Sequence, residues 1–226
     1  MNKIKACIFD LDGVIVDTAK YHFKAWRRLA NELGFDFTEE ENEQLKGVSR
    51  VESLNLILKW GRKQENDEEV KTAMADKKNA WYLEYIERMT SDEILPGAET
   101  FLREVKSKGI KVVLGSASKN SKLILERIGI IGLFDVIVDG NSTTKSKPDP
   151  EVFLMGAEAV GASPKECIVF EDAEKGIEAA LNGGFYTVGV GSPDVLDEAH
   201  IVIPSFEYIE YGEVLEALTS SAGAAK

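Results

Sequence analysis

The sequence predicts an α/β fold in which a doubly wound, mostly parallel sheet carries an inserted helical cap domain. The first observation is a series of apolar runs of strand length without polar alternation, which is typical of strands buried on both faces. The second is that helical stretches separate most of these runs, as in a parallel sheet. The predicted strands are Ile4–Phe9, Ile110–Leu114, Val136–Val138, Ile168–Phe170, Thr187–Val190 and Ile201–Ile203.

Three of the predicted helices end at a glycine. Glycine adopts positive φ at little cost, and the residue after a helix C-terminus often has this conformation. The helices are Ala98–Lys108, Ser121–Ile128 and Glu151–Val160, followed by Gly109, Gly129 and Gly161.

The segment 18–91 differs from the rest of the chain. It contains three or four helical patterns, among them Tyr21–Leu33 and Asp67–Met89, and no convincing strand. We therefore predict a catalytic core of residues 1–17 and 92–226 and a helical cap of residues 18–91. Open α/β sheets bind ligands at the carboxyl ends of their strands, so a cap that enters there would cover the site.

The overall composition limits the possible partners and location. The chain has a formal net charge of −12 and no compensating basic block, which argues against nucleic acid and anionic membranes as partners. No apolar run approaches the roughly 20 residues that span a bilayer, and no signal region is evident. Cys7 and Cys167 each lie in an apolar run, which favours buried free thiols. We expect a cytoplasmic monomer that acts on a small molecule.

The strongest local signal is a pair of carboxylates at the end of the first strand, Asp10 and Asp12, followed by Gly13. Alternation along a strand would point both carboxylates the same way. Neighbouring carboxylates repel each other and raise a pKa unless a cation or a proton lies between them. Mg²⁺ is the natural companion because it prefers oxygen ligands. The alternative is an Asp-rich turn that caps the next helix.

Two further strand ends and one turn carry polar residues. Glu171 and Asp172 follow the buried run Cys167–Phe170, although Asp172 could simply cap the next helix. Gly115–Ser118 could bind a phosphate through hydroxyls and backbone amides. The alternative is that Ser116 is an ordinary helix N-cap. Lys147 lies in a turn-like stretch, where a lone lysine is usually solvated.

Taken together and in this order, these four elements resemble the four motifs of the haloacid dehalogenase superfamily, and the resemblance covers nearly the whole chain. It implies that Asp10 is the nucleophile that attacks phosphorus and that Asp12 is the general acid/base. It further implies that Ser116 and Lys147 orient the phosphoryl group. The implied Mg²⁺ ligands are Asp10, the Asp12 main-chain oxygen, Glu171 and Asp172.

The segment 18–91 also contains residues that could recognise substrate. Lys46, Ser49 and Arg50 surround a glycine turn and could hold a second phosphate, or they could be solvated charges at a helix end. His22 and Trp26 are four residues apart and share a helix face; the alternatives are a surface histidine and a core tryptophan.

Longer segments resemble the β-phosphoglucomutase family within this superfamily: Lys46–Leu54, Lys78–Asn79, Gly115–Asn120 and Ser146–Pro148. The resemblance implies conversion of β-glucose 1-phosphate to glucose 6-phosphate through glucose 1,6-bisphosphate and a phosphorylated Asp10. Arg50 would hold the phosphate that is not reacting, and Ser116 and Asn120 the one that is. The expected substrate-binding residues are His22, Trp26, Lys46, Gly47, Val48, Ser49, Arg50, Ser53, Lys78, Ser116, Ala117, Ser118, Asn120 and Lys147.

Two alternative functions remain open from the sequence. The first is a sugar-phosphate phosphatase of the same superfamily, in which water instead of sugar accepts the phosphoryl group. The second is a non-catalytic module that binds phosphosugars.

Overall fold

A computed structural model describes residues 3–45 and 48–224 of the chain. The described strands form one six-stranded sheet in which every pairing is parallel, with the order β3-β2-β1-β4-β5-β6. The strands are β1 (Ala6–Phe9), β2 (Lys111–Gly115), β3 (Val136–Val138), β4 (Cys167–Glu171), β5 (Tyr186–Val190) and β6 (Ile201–Ile203). The predicted parallel α/β sheet is confirmed, and each predicted strand is present within two residues of its predicted ends.

The central strand β1 shows why these apolar runs become strands. All four of its residues are buried. Cys7 and Phe9 face one hydrophobic cluster, and Ala6 and Ile8 face the other. Side chains alternate between the two faces of a strand, so a run without polar residues is stable only when helices cover both faces. This arrangement is the doubly wound architecture.

The helices that cover the sheet follow the predicted pattern closely. α7 and α8 contribute to the cluster that contains Ala6 and Ile8, whereas α5, α6 and α9 contribute to the other. These helices are α5 (Ala98–Ser107), α6 (Ser121–Arg127), α7 (Glu151–Ala159), α8 (Glu174–Asn182) and α9 (Tyr211–Ala224).

In the described residues between β1 and α5 there are four α-helices, and we call them the cap helices. α1 packs against α2 and α4, and α3 packs against α4. They are α1 (Ala19–Glu32), α2 (Glu39–Glu43), α3 (Arg50–Trp60) and α4 (Glu68–Ile86). Within residues 19–45 and 48–86 there is no strand. The division into two domains remains a prediction.

Two linkers connect the cap helices to the sheet, and the linkers pair with each other. Val16 forms an isolated antiparallel bridge with Ile94, and the Leu95 N–H donates to the Ile15 carbonyl at 2.9 Å. The chain therefore leaves and re-enters the core side by side, beside the end of β1.

Two global expectations can be compared with the structure. Cys7 and Cys167 are free and buried, as predicted. No helix in the described ranges is both long enough and apolar enough to cross a membrane.

Candidate active site

The predicted chemical residues meet at the carboxyl end of the sheet. Asp10 follows β1, Ser116 follows β2, and Glu171 ends β4. Because β2, β1 and β4 are adjacent and parallel, their carboxyl ends lie at the same edge. A cavity of about 590 Å³ opens there between the sheet and the cap helices. Its lining includes these predicted residues: Asp10, Asp12, His22, Trp26, Val48, Ser49, Arg50, Ser53, Lys78, Ser116, Ala117, Ser118, Asn120, Lys147, Glu171 and Asp172.

Two predicted residues, Lys46 and Gly47, lie outside the described residues. Their neighbours Leu45 and Val48 line the cavity.

Asp10 is held from both sides by fixed donors. Its side chain is nearly buried, with 7% of the residue exposed. Oδ2 accepts a hydrogen bond from the Asp12 N–H at 3.0 Å, and Oδ1 accepts from Lys147 Nζ at 2.6 Å. The carboxylate is thus oriented and ionically balanced, as a nucleophile in a fixed position needs to be.

Asp12 has a different environment. Burial, followed by the nearby charge of Asp10, raises the pKa of Asp12 to about 7. Thr18 Oγ1 donates a hydrogen bond to Asp12 Oδ1, which fixes the orientation of the carboxyl group. A carboxyl group with a pKa near neutrality can both donate and accept a proton at physiological pH. The environments of Asp10 and Asp12 therefore suit two different tasks.

Lys147 lies among carboxylates and is not solvated. It is 3% exposed and contacts Asp10 and Glu171 with its ammonium group. Burial lowers the pKa of Lys147, but the charges of Asp10 and Glu171 outweigh this effect and raise the pKa above its ordinary value. Lys147 is therefore a permanent positive charge in the site, and the simple reading of it as a solvated lysine is wrong.

Glu171 is the most deeply buried of these carboxylates, with 1% exposure. Burial raises its pKa, and Lys147 opposes that shift. The Ala173 N–H donates to Glu171 Oε2 at 3.0 Å. A Cβ at Gly176 would overlap the Glu171 carboxyl group, so glycine at this position leaves the space that the buried side chain needs.

Asp172 is not the N-cap of the helix that follows it. The N-cap of α8 is Ala173, and the Ala173 N–H donates to Glu171. Instead, the Asp172 carboxyl group lies against Gly13, where a Cβ would overlap it. Gly13 also has φ of +78°, a region that L-residues with side chains rarely adopt. The Asp172 carboxyl group is therefore packed against Gly13, three residues after Asp10.

The predicted metal ligands can be compared with the donors that are present. Among the described residues, no three His, Cys, Asp or Glu side chains are arranged as a ready metal-binding group. The Lys147 ammonium lies between Asp10 and Glu171 in this structure. The donors nevertheless fit Mg²⁺ by chemistry, because all are hard oxygen atoms, and the Asp172 carboxyl group lies beside Gly13. The ligand set remains a prediction.

The loop after β2 forms a tight, polar turn. Ser116 is buried, and its Oγ accepts from the Ser118 N–H at 3.1 Å. Ser118 Oγ in turn accepts from the Asn120 N–H at 3.3 Å. The N-cap of α6 is Asn120, so Ser116 is not a helix cap. Ser116, Ser118 and Asn120 line the cavity, so the loop can offer hydroxyl and carboxamide donors to an anion.

On the cap side, Lys78 is a second buried lysine, with 2% exposure. Its Nζ lies 2.8 Å from His22 Nδ1 and 4.4 Å from the centre of the Trp26 ring. Burial, then the charge of Arg50, lowers the pKa of Lys78 well below its ordinary value. Burial, then the charge of Lys78, does the same to the pKa of His22. His22 is therefore a neutral partner of Lys78, and the buried ring of Trp26 packs against the Lys78 ammonium group.

Arg50 is the first residue of α3 and Ser49 is its N-cap, with a side chain that accepts from the Glu52 N–H. Arg50 lies half-buried at the cavity, and its Nη1 is 3.8 Å from Asp76 Oδ1. Among residues 3–45 and 48–224 this long contact is the ion pair of Arg50, which leaves the guanidinium able to bind another anion. Ser53, one turn further on, is buried.

Sequence reasoning missed several residues of this site. Thr18 binds Asp12, but its only sequence signal is its position at the start of the linker. Lys119 and Lys145 line the cavity beside predicted residues without a pattern that distinguishes them from surface lysines. Asn79 belongs to the Lys78–Asn79 segment that carries the resemblance but was given no role; it lines the cavity and hydrogen-bonds Asn120.

The chain is similar in sequence and structure to known sugar-phosphate enzymes. The chain is 43% identical to β-phosphoglucomutase of Bacillus subtilis over 203 residues, which covers 88% of this chain and 89% of the relative. It is 32% identical to a phosphorylated carbohydrates phosphatase of Thermotoga maritima, with coverage of 80% and 82%. The crystal structure of β-phosphoglucomutase from Clostridium difficile matches with a TM-score of 0.94 and 44% identity, covering 97% of this chain and 99% of that one.

These relatives confirm the resemblance that the motifs predicted. The profile of the haloacid dehalogenase-like hydrolases matches residues 4–184, a range that includes every predicted catalytic and binding residue. The chain belongs to the haloacid dehalogenase-like hydrolase family.

Proposed function

We propose that this enzyme is a β-phosphoglucomutase that interconverts β-D-glucose 1-phosphate and D-glucose 6-phosphate through β-glucose 1,6-bisphosphate. One observation carries the proposal: the match to the Clostridium difficile β-phosphoglucomutase at 44% identity over 97% of the chain. Because the match includes the cap helices, it extends to the part of the molecule where the substrate would be recognised.

The chemistry follows from the two aspartates. An Asp10 oxygen attacks the phosphorus of the bisphosphate, the bond from phosphorus to the sugar oxygen breaks, and Asp12 donates its proton to that oxygen. In the return step Asp12 takes the proton of the accepting hydroxyl, that oxygen attacks the phosphorus, and Asp10 leaves as a carboxylate. The pKa of Asp12 near 7 supports both directions, since the group must change protonation once in each.

The phosphorylated Asp10 would place several negative charges next to Glu171 and Asp172. Lys147 supplies one positive charge from the protein. We propose that Asp10, the Asp12 carbonyl, Glu171 and Asp172 hold Mg²⁺. When bound, the ion would offset the negative charge on the phosphoryl oxygens and so favour displacement of the leaving oxygen at phosphorus.

The cap side of the cavity is suited to the second phosphate. Arg50 reaches the cavity with a guanidinium whose carboxylate partner in the described part of the chain, Asp76, is 3.8 Å away. A guanidinium can bind a phosphate through two parallel hydrogen bonds. The proposed substrate binding residues of the sequence all line this cavity where the structure describes them. A cytoplasmic monomer remains our expectation from the sequence.

The main alternative is a sugar-phosphate phosphatase, a reading favoured by the 32% identity to the Thermotoga maritima enzyme. The test is incubation of the wild-type enzyme with β-glucose 1-phosphate, Mg²⁺ and a trace of glucose 1,6-bisphosphate. We expect glucose 6-phosphate as the main product. Release of inorganic phosphate in its place would identify a phosphatase, and the absence of both products would identify a binding module.

The Arg50→Ala variant tests the second phosphate site. We expect kcat/KM for the mutase reaction to fall about 30- to 150-fold, because a lost charge-assisted contact is worth about 2–3 kcal/mol. The rate of acetyl phosphate hydrolysis should stay within about twofold of the wild-type rate, because a small donor has no second phosphate for Arg50 to bind. Arg50→Lys should resemble Arg50→Ala, because lysine lacks the planar fork.

Arg88→Ala is the matched control, since Arg88 is exposed on the cap side and does not line the cavity. An equal fall of both activities in Arg50→Ala would show that Arg50 supports the core chemistry or the fold. No fall in either would show that Arg50 is a solvated charge.

A further inference from the structure

Asn120 lies at the N-cap position of α6, but its side chain does not cap the helix. Asparagine is one of the best N-cap residues, because its side-chain oxygen accepts hydrogen bonds from the free N–H groups of the first helical turn. Asn120 is the N-cap of α6, and its side chain makes no capping bond. Something else therefore determines the direction of this carboxamide.

The partner of Asn120 lies on a cap helix. Asn120 Nδ2 donates to Asn79 Oδ1 at 3.0 Å, and the two half-buried residues are 41 positions apart in the sequence. Asn79 lies in α4, and the backbones of α4 and α6 are in contact. The hydrogen bond thus joins the cap helices to the loop after β2.

Asn79 is also an unexpected residue for its own position. It lies inside the 19-residue helix α4, where asparagine is less favourable than alanine. Its neighbour Lys78 points to His22 instead, and both Lys78 and Asn79 line the cavity. Two adjacent residues of α4 therefore contact different parts of the cavity. Lys78 contacts His22, and Asn79 contacts the loop after β2.

We propose that Asn79 is a positioning residue that orients the Asn120 carboxamide for phosphate only while the cap helices lie over the sheet. This inference rests on the proposed function, in which Asn120 binds a phosphate of the substrate. Asn120 Nδ2 has a second N–H, so it can bind Asn79 and an anion at the same time. Movement of α4 away from α6 would break the bond and release the carboxamide, so phosphate binding and closure of the cap would favour each other.

A double-mutant cycle tests the proposal with Asn79→Ala, Asn120→Ala and the double variant. We expect Asn79→Ala to lower kcat/KM for β-glucose 1-phosphate about 5- to 30-fold, the loss typical of one hydrogen bond in a closed site. Asn120→Ala should lower it at least as much. The double variant should equal Asn120→Ala within about twofold, because Asn79 acts only through Asn120. Losses that multiply in the double variant would overturn the proposal.

Thermal stability separates positioning from a general structural role. Alanine is the better helix former, so the Tm of Asn79→Ala should be unchanged or higher while activity falls. A fall of Tm in parallel with activity would overturn the proposal. Glu84→Ala, an exposed change on the same helix, is the control and should leave both activity and Tm unchanged.

The double-mutant cycle can test the positioning role of Asn79 even if the proposed mutase reaction is wrong. If wild-type enzyme releases phosphate in place of forming glucose 6-phosphate, the mutase proposal fails, and the same cycle is then measured on hydrolysis of glucose 6-phosphate. Coupling of Asn79 to Asn120 in that assay supports the positioning role, and its absence overturns it.

Discussion

The Asp10→Asn variant is expected to fold normally and to lose turnover by at least about a thousandfold. An amide is a poor nucleophile and a weaker ligand for a divalent cation. The side chain keeps its shape, so it can still accept from the Asp12 N–H. Lys147 keeps its contact with Glu171, so no buried charge is left without a partner.

Two measurements check this expectation. The rate of glucose 6-phosphate formation gives the loss, and the Tm shows that the fold is retained. Activity above roughly a thousandth of the wild-type value would exclude Asp10 as the nucleophile, since removal of one essential catalytic group usually costs at least this much. Cys7→Ser, a change in the same buried strand outside the cavity, controls for disturbance of β1.

The second large effect is expected at Asp12. Asp12→Asn should lower mutase turnover about 10²- to 10⁴-fold, because no group remains to transfer the proton of the sugar oxygen. Asparagine can still accept the hydrogen bond from Thr18, so the loss reports proton transfer and not a collapsed turn. Normal mutase rates in this variant would exclude the role.

The pH dependence gives the same role an independent signature. Burial and the charge of Asp10 raise the pKa of Asp12 to about 7. Phosphorylation of Asp10 by the bisphosphate needs the protonated acid, so its rate should be full below pH 7 and fall as the pH rises above it. In Asp12→Asn the residual rate should lack this decline. A decline that persists in Asp12→Asn would assign it to another group.

The carboxyl end of the sheet was the most predictable part of the protein. Apolar runs at strand length can only be buried strands or buried helices, and their spacing and the intervening glycines identify a parallel sheet. In such a sheet the carboxyl ends of neighbouring strands must meet. This is why Asp10, Ser116 and Glu171 could be placed together although they lie far apart in the chain.

Only the structure could decide between the alternative roles that the sequence left open for single residues. Asp172 could have been the N-cap of the next helix by its sequence position, but the N-cap is Ala173 and Asp172 packs against Gly13. Lys147 had the sequence context of a solvated lysine, yet it is 3% exposed between two carboxylates. Burial of a charge depends on what the rest of the chain packs around it, which no local pattern contains.

Contacts across the cavity could not be predicted at all. Lys78 reaches His22 across 56 positions, and Asn120 reaches Asn79 across 41. Both depend on how the cap helices lie over the sheet, which no local sequence pattern specifies. Motif resemblance indicated which residues take part, and the structure adds which of them touch.

The central claim is that the phosphoryl group passes through a covalent bond to Asp10. Its most direct test is to incubate the enzyme with glucose 1,6-bisphosphate labelled with ³²P, quench it, digest it, and locate the label. We predict one labelled peptide that contains Asp10, with the mass of one added phosphoryl group, and loss of that label on borohydride reduction, which attacks acyl phosphates. Label on a different residue, or full turnover with no labelled protein at any time, would contradict the account.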